Sequence, residues 1–271
     1  LFEGKKVWEN EEMRRLHGAF PVIFMSFAGA KSGYSAEADG EANLDCIESM
    51  KTAVKKIIVR TYKEFSGIMK SDLFDDDDRE YYSSIKKDMP DEAVATSISI
   101  LCTFLEKYYG KKVIILLDEY DTPMQEAWIY GYWDKAVAFF RSFFVNTFKN
   151  NESMERGLIT GITRISKESV FSELNHLKVV TTTSDEYALS FGFTEEEVFA
   201  ALEHAGLGSE KETVKKWYDG FDFGKYTDIY NPWSIISFIN DGGKYKAYWA
   251  NTSSNSLVNS LIQRGNKAVK Q

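Results

Sequence analysis

The chain of 271 residues is poor in cysteine, histidine and proline. Its two cysteines, Cys46 and Cys102, are isolated and match no metal or redox spacing, which excludes a zinc-ribbon or thioredoxin-type motif. One disulfide would be unusual support for a core of this size, so a reducing compartment, the cytoplasm, is expected. His17, His176 and His204 are scattered, and a lone histidine without a partner to orient it makes no nucleophilic centre. No apolar run approaches the ~20 residues that span a bilayer, and no signal-peptide pattern is present, so no membrane partner is expected. An excess of positive charge is also missing: 33 Lys and Arg face 41 Asp and Glu, for a net charge of −8. A broad nucleic-acid footprint needs clustered cations, so the chain does not support nucleic-acid binding.

What is present is core-forming material. Hydrophobic residues make up 44% and aromatics 15% of the chain, which excludes wholesale disorder. The length allows one or two domains. "FPVIFMSF" (Phe20–Phe27) reads as a buried strand. Leu44, Ile47, Val54, Ile57, Ile58, Thr61 and Phe65 recur at helical spacing, which predicts a long amphipathic helix. The acidic run Asp75–Asp78 reads as a solvated loop rather than a metal site. Pro90 opens a helix that stops near Gly110. Val113–Leu117 is continuously apolar, as a parallel strand covered on both faces should be. Trp133–Phe148 is helical, "GLITGITRI" (Gly157–Ile165) is another buried strand, "SKESVFSELN" begins a short helix, and "VVTTT" (Val179–Thr183) has strand propensity.

This alternation implies an α/β layer fold with a mostly parallel sheet over residues 1–188. From about residue 189 the pattern changes. Thr194 with Glu197, and Ser209 with Glu212, read as capping boxes. "YDGFDFGKYTDIY" reads as a hairpin, Asn231-Pro232 opens a helix that Gly242-Gly243 ends, and "NTSSNSLVNSLI" gives a last one. Residues 189–271 are therefore expected to be a separate, mainly helical domain. Trp217, Tyr218, Phe221, Tyr230 and Trp233 are read as packing, because no basic surround accompanies them as base stacking would require.

The chemistry concentrates in "VIILLDEYDTP", Val113–Pro123. A buried strand ending in three close carboxylates is costly unless something pairs with them. Ligands of open α/β sheets collect at the carboxyl ends of strands. Asp118 stands where a Walker B aspartate would hold Mg²⁺ beside nucleotide phosphates, and Glu119 where a glutamate would orient the attacking water. A bland alternative weighs as much on the pattern alone: the aspartate caps the following loop. Arg164, at the end of "GLITGITRI", has a fork that matches phosphate oxygens, or is simply an exposed arginine at a strand end.

The blocks "HGAFPVIFMSF", "VIILLDEYDTP", "GLITGITRISKESVFSELNHL", "YALSFGFTEEEV", "WYDGFDFGKYTDIYNPWSIISFI" and "YWANTSSNSLV" occur in that order. Together they resemble the bacterial family of predicted AAA-ATPases, often fused to a nuclease-like domain of the PD-(D/E)XK superfamily. The resemblance implies a P-loop NTPase core of the ASCE type followed by a helical, winged-helix-like lid. It implies ATP and Mg²⁺ as cofactors, with Asp118 and Asp121 on the metal side, Glu119 catalytic, and Arg164 in the sensor-like segment, touching nucleotide or assisting catalysis. A protein partner or a fused nuclease-like domain would read the nucleotide state.

The sequence departs from that pattern in one respect. No G-x-x-x-x-G-K-[ST] occurs; the nearest fragment, "GAKS" at Gly29–Ser32, has Ala30 where glycine is required and follows the wrong strand. In the family the P-loop lies just before the segment equivalent to "LFEG", so the chain is expected to begin downstream of it, without the first strand of the core, and to be inactive by itself. Two other readings are a non-catalytic, degenerate ATPase fold that binds protein partners, and a metal-dependent nuclease using Asp118, Glu119 and Asp121. The latter lacks the lysine-bearing D…(D/E)xK pattern.

Overall fold

The structure, a computed structural model, describes residues 2–31, 42–163, 171, 173–174 and 176–249, with the backbone alone for 42–45. It forms two compact units, Leu1–Asn175 and His176–Gln271.

The first unit opens with two short helices, α1 (Lys6–Glu9) and α2 (Glu11–Leu16). Strand β1 (Val22–Ser26) leads to the long helix α3 (Ala42–Glu64) and a 3₁₀ turn at Ser66–Lys70. Helices α4 (Asp76–Ser84) and α5 (Asp91–Tyr109) precede β2 (Val113–Asp118). A crossover of α6 (Thr122–Ile129) and α7 (Trp133–Phe144), with a π turn at Val145–Lys149, returns the chain to β3 (Met154–Ile159). The acidic run is not a loop. Asp75 accepts from the Asp78 amide at 2.8 Å and Asp78 reciprocates, so the run forms the capping box of α4, with its charges at the positive end of the helix dipole.

The three strands are parallel in the order β1-β2-β3, with β2 central. Their alternate side chains meet two different environments. Ile23, Met25, Val113, Ile115 and Leu117 are at most 1% exposed and pack on the helical side. There Val54 and Ile58 of α3, Ile98 and Leu101 of α5, and Phe140, Phe143 and Phe144 of α7 complete the core. Gly157 belongs to this side, in register with Ile115, and a Cβ there would lie 2.9 Å from the Phe148 ring, so only glycine lets that ring close on the sheet. The opposite face is open. Val22, Phe24 and Leu158 are 42%, 57% and 56% exposed, beside the half-buried Ile114 and Leu116. The expectation of a strand covered on both faces is thus met on one.

In the second unit, β4 (Phe193–Thr194) leads into α8 (Glu195–His204), and α9 (Lys211–Tyr218) into the hairpin β5 (Asp219–Phe223) and β6 (Tyr226–Tyr230), followed by α10 (Pro232–Asn240). The sheet is antiparallel, in the order β4-β6-β5. Val198, Leu202, Val214, Tyr218, Tyr230, Ile235 and Phe238 form its core. Thr194 and Glu197 make the expected capping box on α8. Ser209 makes none: it lies in a 3₁₀ turn, and α9 starts after Glu210 without a side-chain cap. "VVTTT" forms no strand. Instead the carbonyl of Thr182 accepts from the Gly224 amide at 2.8 Å, tying this segment to the hairpin turn. Of the aromatics read as packing, Tyr218 and Tyr230 are buried, while Trp217, Phe221 and Trp233 are 53%, 40% and 56% exposed. The expected helices at "SKESVFSELN" and "NTSSNSLVNSLI" lie largely or wholly outside the described residues. Among the described residues no helix is long and apolar enough to cross a membrane.

Candidate active site

Asp118 is the last residue of β2, the central strand, in register with Ser26 of β1. Its carbonyl accepts from the Phe27 amide at 2.9 Å, which fixes the strand end. On the other side Leu117 pairs with Ile159, so the residue level with Asp118 is Thr160. The Thr160 hydroxyl donates to Asp118 Oδ1 at 2.6 Å. Oδ2 has no hydrogen bond among the described residues, and the side chain is partly solvent-accessible.

Glu119 has φ 51°, left-handed for a residue that carries a Cβ. Such a conformation costs of order 1–3 kcal/mol and persists where the surroundings impose it, commonly at functional sites. Here the Thr122 hydroxyl donates to Glu119 Oε2 at 2.9 Å and the Thr122 amide to the Glu119 carbonyl at 3.1 Å. The first turn of α6 therefore holds both ends of this residue.

Asp121 has a different environment. It is fully buried, and its Oδ2 accepts from the Thr163 amide at 2.6 Å, the Thr163 hydroxyl at 2.5 Å and Gln125 Nε2 at 2.8 Å. Its Oδ1 is buried and has no hydrogen-bond partner among the described residues; it lies above Gly161, where a Cβ would be 2.5 Å from that oxygen. Tyr120 donates its hydroxyl to the Thr163 carbonyl at 2.8 Å and packs its ring on Phe171. Tyr120 and Asp121 thus clamp the loop after β3, and Gly161 permits the close approach.

The three carboxylates that the sequence places within four residues point to separate partners, and no group of three metal-ligating side chains is found among the described residues. Arg164 lies outside the described residues. Four partners are not evident from the sequence pattern: Thr160 on Asp118, Thr122 on Glu119, and both Thr163 and Gln125 on Asp121. Gln125 sits at i+4 from Asp121, a spacing that brings side chains together on a helix and was open to inspection. Thr160 depends on strand register, which the local pattern does not carry.

A parallel α/β sheet with an aspartate at the carboxyl end of its central strand is the general layout of a nucleotide-binding α/β protein. Residues 1–171 match the family described as Predicted AAA-ATPase, and the chain belongs to that family. It is similar to an uncharacterized protein in the vnfD 5′ region of Azotobacter chroococcum mcd 1, at 26% identity over 157 residues. That match takes in 57% of this chain and spans 30% of the length of the Azotobacter protein. No solved structure matches the chain.

Proposed function

We propose that the chain is a module of a Mg²⁺-dependent ATPase, with Asp118 on the metal side of the nucleotide and Glu119 as the residue that orients the attacking water. The observation that carries this reading is the state of Asp118: Thr160 fixes one carboxylate oxygen, and the other, at the mouth of the sheet, has no hydrogen bond among the described residues. Mg²⁺ is commonly bound through one or two carboxylates, with water and phosphate oxygens completing its shell, so a single carboxylate oxygen fits it. When bound, the ion supplies charge neutralisation at the phosphates. Thr160 orients the Asp118 carboxylate. The strained backbone at Glu119 and its bond from Thr122 hold the glutamate ready to accept a proton. Asp121, expected beside the metal, is better used as a positioning residue, because three donors already occupy its Oδ2. It anchors Thr163, and a γ-phosphate contact is assigned to Arg164, the next residue in the sequence. The second unit would act as the lid, of winged-helix-like form, and a fused or separate effector would respond to it. The 271 residues contain no P-loop motif, so hydrolysis requires one supplied from outside them.

The test is ATP turnover with Mg²⁺, comparing this chain with an amino-terminally extended form. Activity is expected in the extended form only. Glu119→Gln should lower kcat there by about 100-fold or more with ATP binding retained, a loss typical of removing a general base. Unchanged turnover in Glu119→Gln would overturn the assignment. The open sheet face at Phe24 and Leu158 favours a second reading, a non-catalytic module that binds protein partners, and absence of turnover in both forms would select it.

A further inference from the structure

Within the first unit, a cavity of about 490 Å³ lies between the carboxyl-terminal part of α3 and the segment that leaves α4. None of its lining residues belongs to the β2 loop. Val59, Tyr62, Tyr82 and Ile85 form apolar walls. Both phenol groups are turned to backbone carbonyls: Tyr62 donates to the Ser97 carbonyl at 2.6 Å, and Tyr82 donates to the Tyr62 carbonyl. Burial pushes the Tyr62 hydroxyl well up and that of Tyr82 to about 12, so both stay neutral at physiological pH. The rings therefore offer the cavity apolar surface and no charge.

Lysines dominate the charge around the cavity. Lys63, Lys86 and Lys87 line it, against one acid, Asp88. Elsewhere in this unit lysines near acids are neutralised: Lys51 and Lys55 reach Asp91 at 2.7 and 3.0 Å, and Lys107 reaches Asp78 at 2.7 Å. Lys63, Lys86 and Lys87 form no ion pair among the described residues. Three cations against one acid at an apolar opening, in a chain of net charge −8, are a local reversal of the protein's own field. The volume falls in the range of small-molecule sites, which pair apolar walls with a few charged groups.

We infer that this cavity binds a small amphipathic anion, with an aryl or short alkyl body against Tyr62, Tyr82, Val59 and Ile85 and a carboxylate, sulfonate or phosphate head among Lys63, Lys86 and Lys87. Charge complementarity selects this occupant over a neutral one, and the committed phenol hydroxyls select an apolar body over a sugar-like one.

The experiment uses the full chain and two matched fluorescent probes, 8-anilinonaphthalene-1-sulfonate and the neutral N-phenyl-1-naphthylamine. The anionic probe should bind saturably and about tenfold more tightly than the neutral one. The double substitution Lys86→Glu, Lys87→Glu, on exposed side chains, should weaken the anion by about tenfold or more and leave the neutral probe within about twofold. Ser83→Cys blocked with a neutral maleimide, which fills the cavity at its rim, should abolish both. Anion binding that survives charge reversal, equal affinity for the two probes, or no effect of the maleimide-blocked Ser83→Cys variant would each overturn the proposal, because the probe would then sit elsewhere, as on the open sheet face.

Discussion

The two faces of the β1-β2-β3 sheet are made of the same kinds of residue and have opposite fates. On one, Ile23, Met25, Ile115 and Leu117 lie under three helices. On the other, Val22, Phe24 and Leu158 stand in solvent. Apolar side chains in strands do not by themselves show where the core is. The closed face is defined by partners that fit it, including a glycine at 157 that admits Phe148. The end of β2 repeats the contrast within one loop: Asp121 is enclosed by Thr163 and Gln125, while among the described residues Asp118 has a partner, Thr160, on one oxygen alone.

The sharpest way to break this comparison is to truncate one phenylalanine on each side. Phe143, fully buried against Phe27 and Phe144, should cost about 3–5 kcal/mol on replacement by alanine. Phe24→Ala should change stability by only about 0.5 kcal/mol. Urea unfolding of the two variants measures both, and equal losses would mean that the open face is covered in solution. The next contrast is between the acids. Asp121→Ala strands three donors and should cost about 1–3 kcal/mol, whereas Asp118→Ala should be nearly neutral for stability. Thermal unfolding that ranks them the other way would remove the positioning role given to Asp121.

The smallest effect belongs to the helical side, where Lys51 and Lys55 meet Asp91. Burial pushes the Asp91 carboxyl up, but hydrogen bonds from Lys51 and Lys55 outweigh this and hold it below its ordinary value. Because the folded carboxyl keeps its charge to lower pH than the unfolded one, its contribution is whole above about pH 4, the unfolded value, and is lost as pH falls through the folded one. Asp91→Asn should therefore flatten the acid limb of the stability profile by about 0.5 kcal/mol, less at high salt since the carboxylate is 40% exposed. A variant profile parallel to that of the parent at all pH values would show that the pair contributes nothing.

The sequence shows clearly the elements whose signals are local. The apolar period of α3 and α5, the Thr194–Glu197 cap and the β5–β6 hairpin are each decided within a few residues of chain. Signals that depend on partners do not transfer in this way. "GLITGITRI" reads as one strand to Ile165, yet pairing ends at Ile159 and the loop then closes over Asp121 at Gly161. That shift makes Thr160, rather than Thr163, the neighbour of Asp118. "VVTTT" has β-branched residues but no ladder to join, and Ser209 has the spacing of a cap while the chain takes a 3₁₀ turn there. Two of the candidate site acids were legible from strand-end position; what holds them was not, because it comes from 42 residues further on or from the turn of a helix.

That separation affects the order of assembly. Asp121 and Thr163 meet only after α6 and α7 have carried β3 back beside β2, and the entropy of closing such a span is spent before any of these hydrogen bonds can form. We expect this contact to form on the native side of the folding barrier, so that Asp121→Ala speeds unfolding more than it slows folding, as stopped-flow kinetics would measure. A chain that has made its helices but not this closure has every residue of the candidate site and no alignment of them.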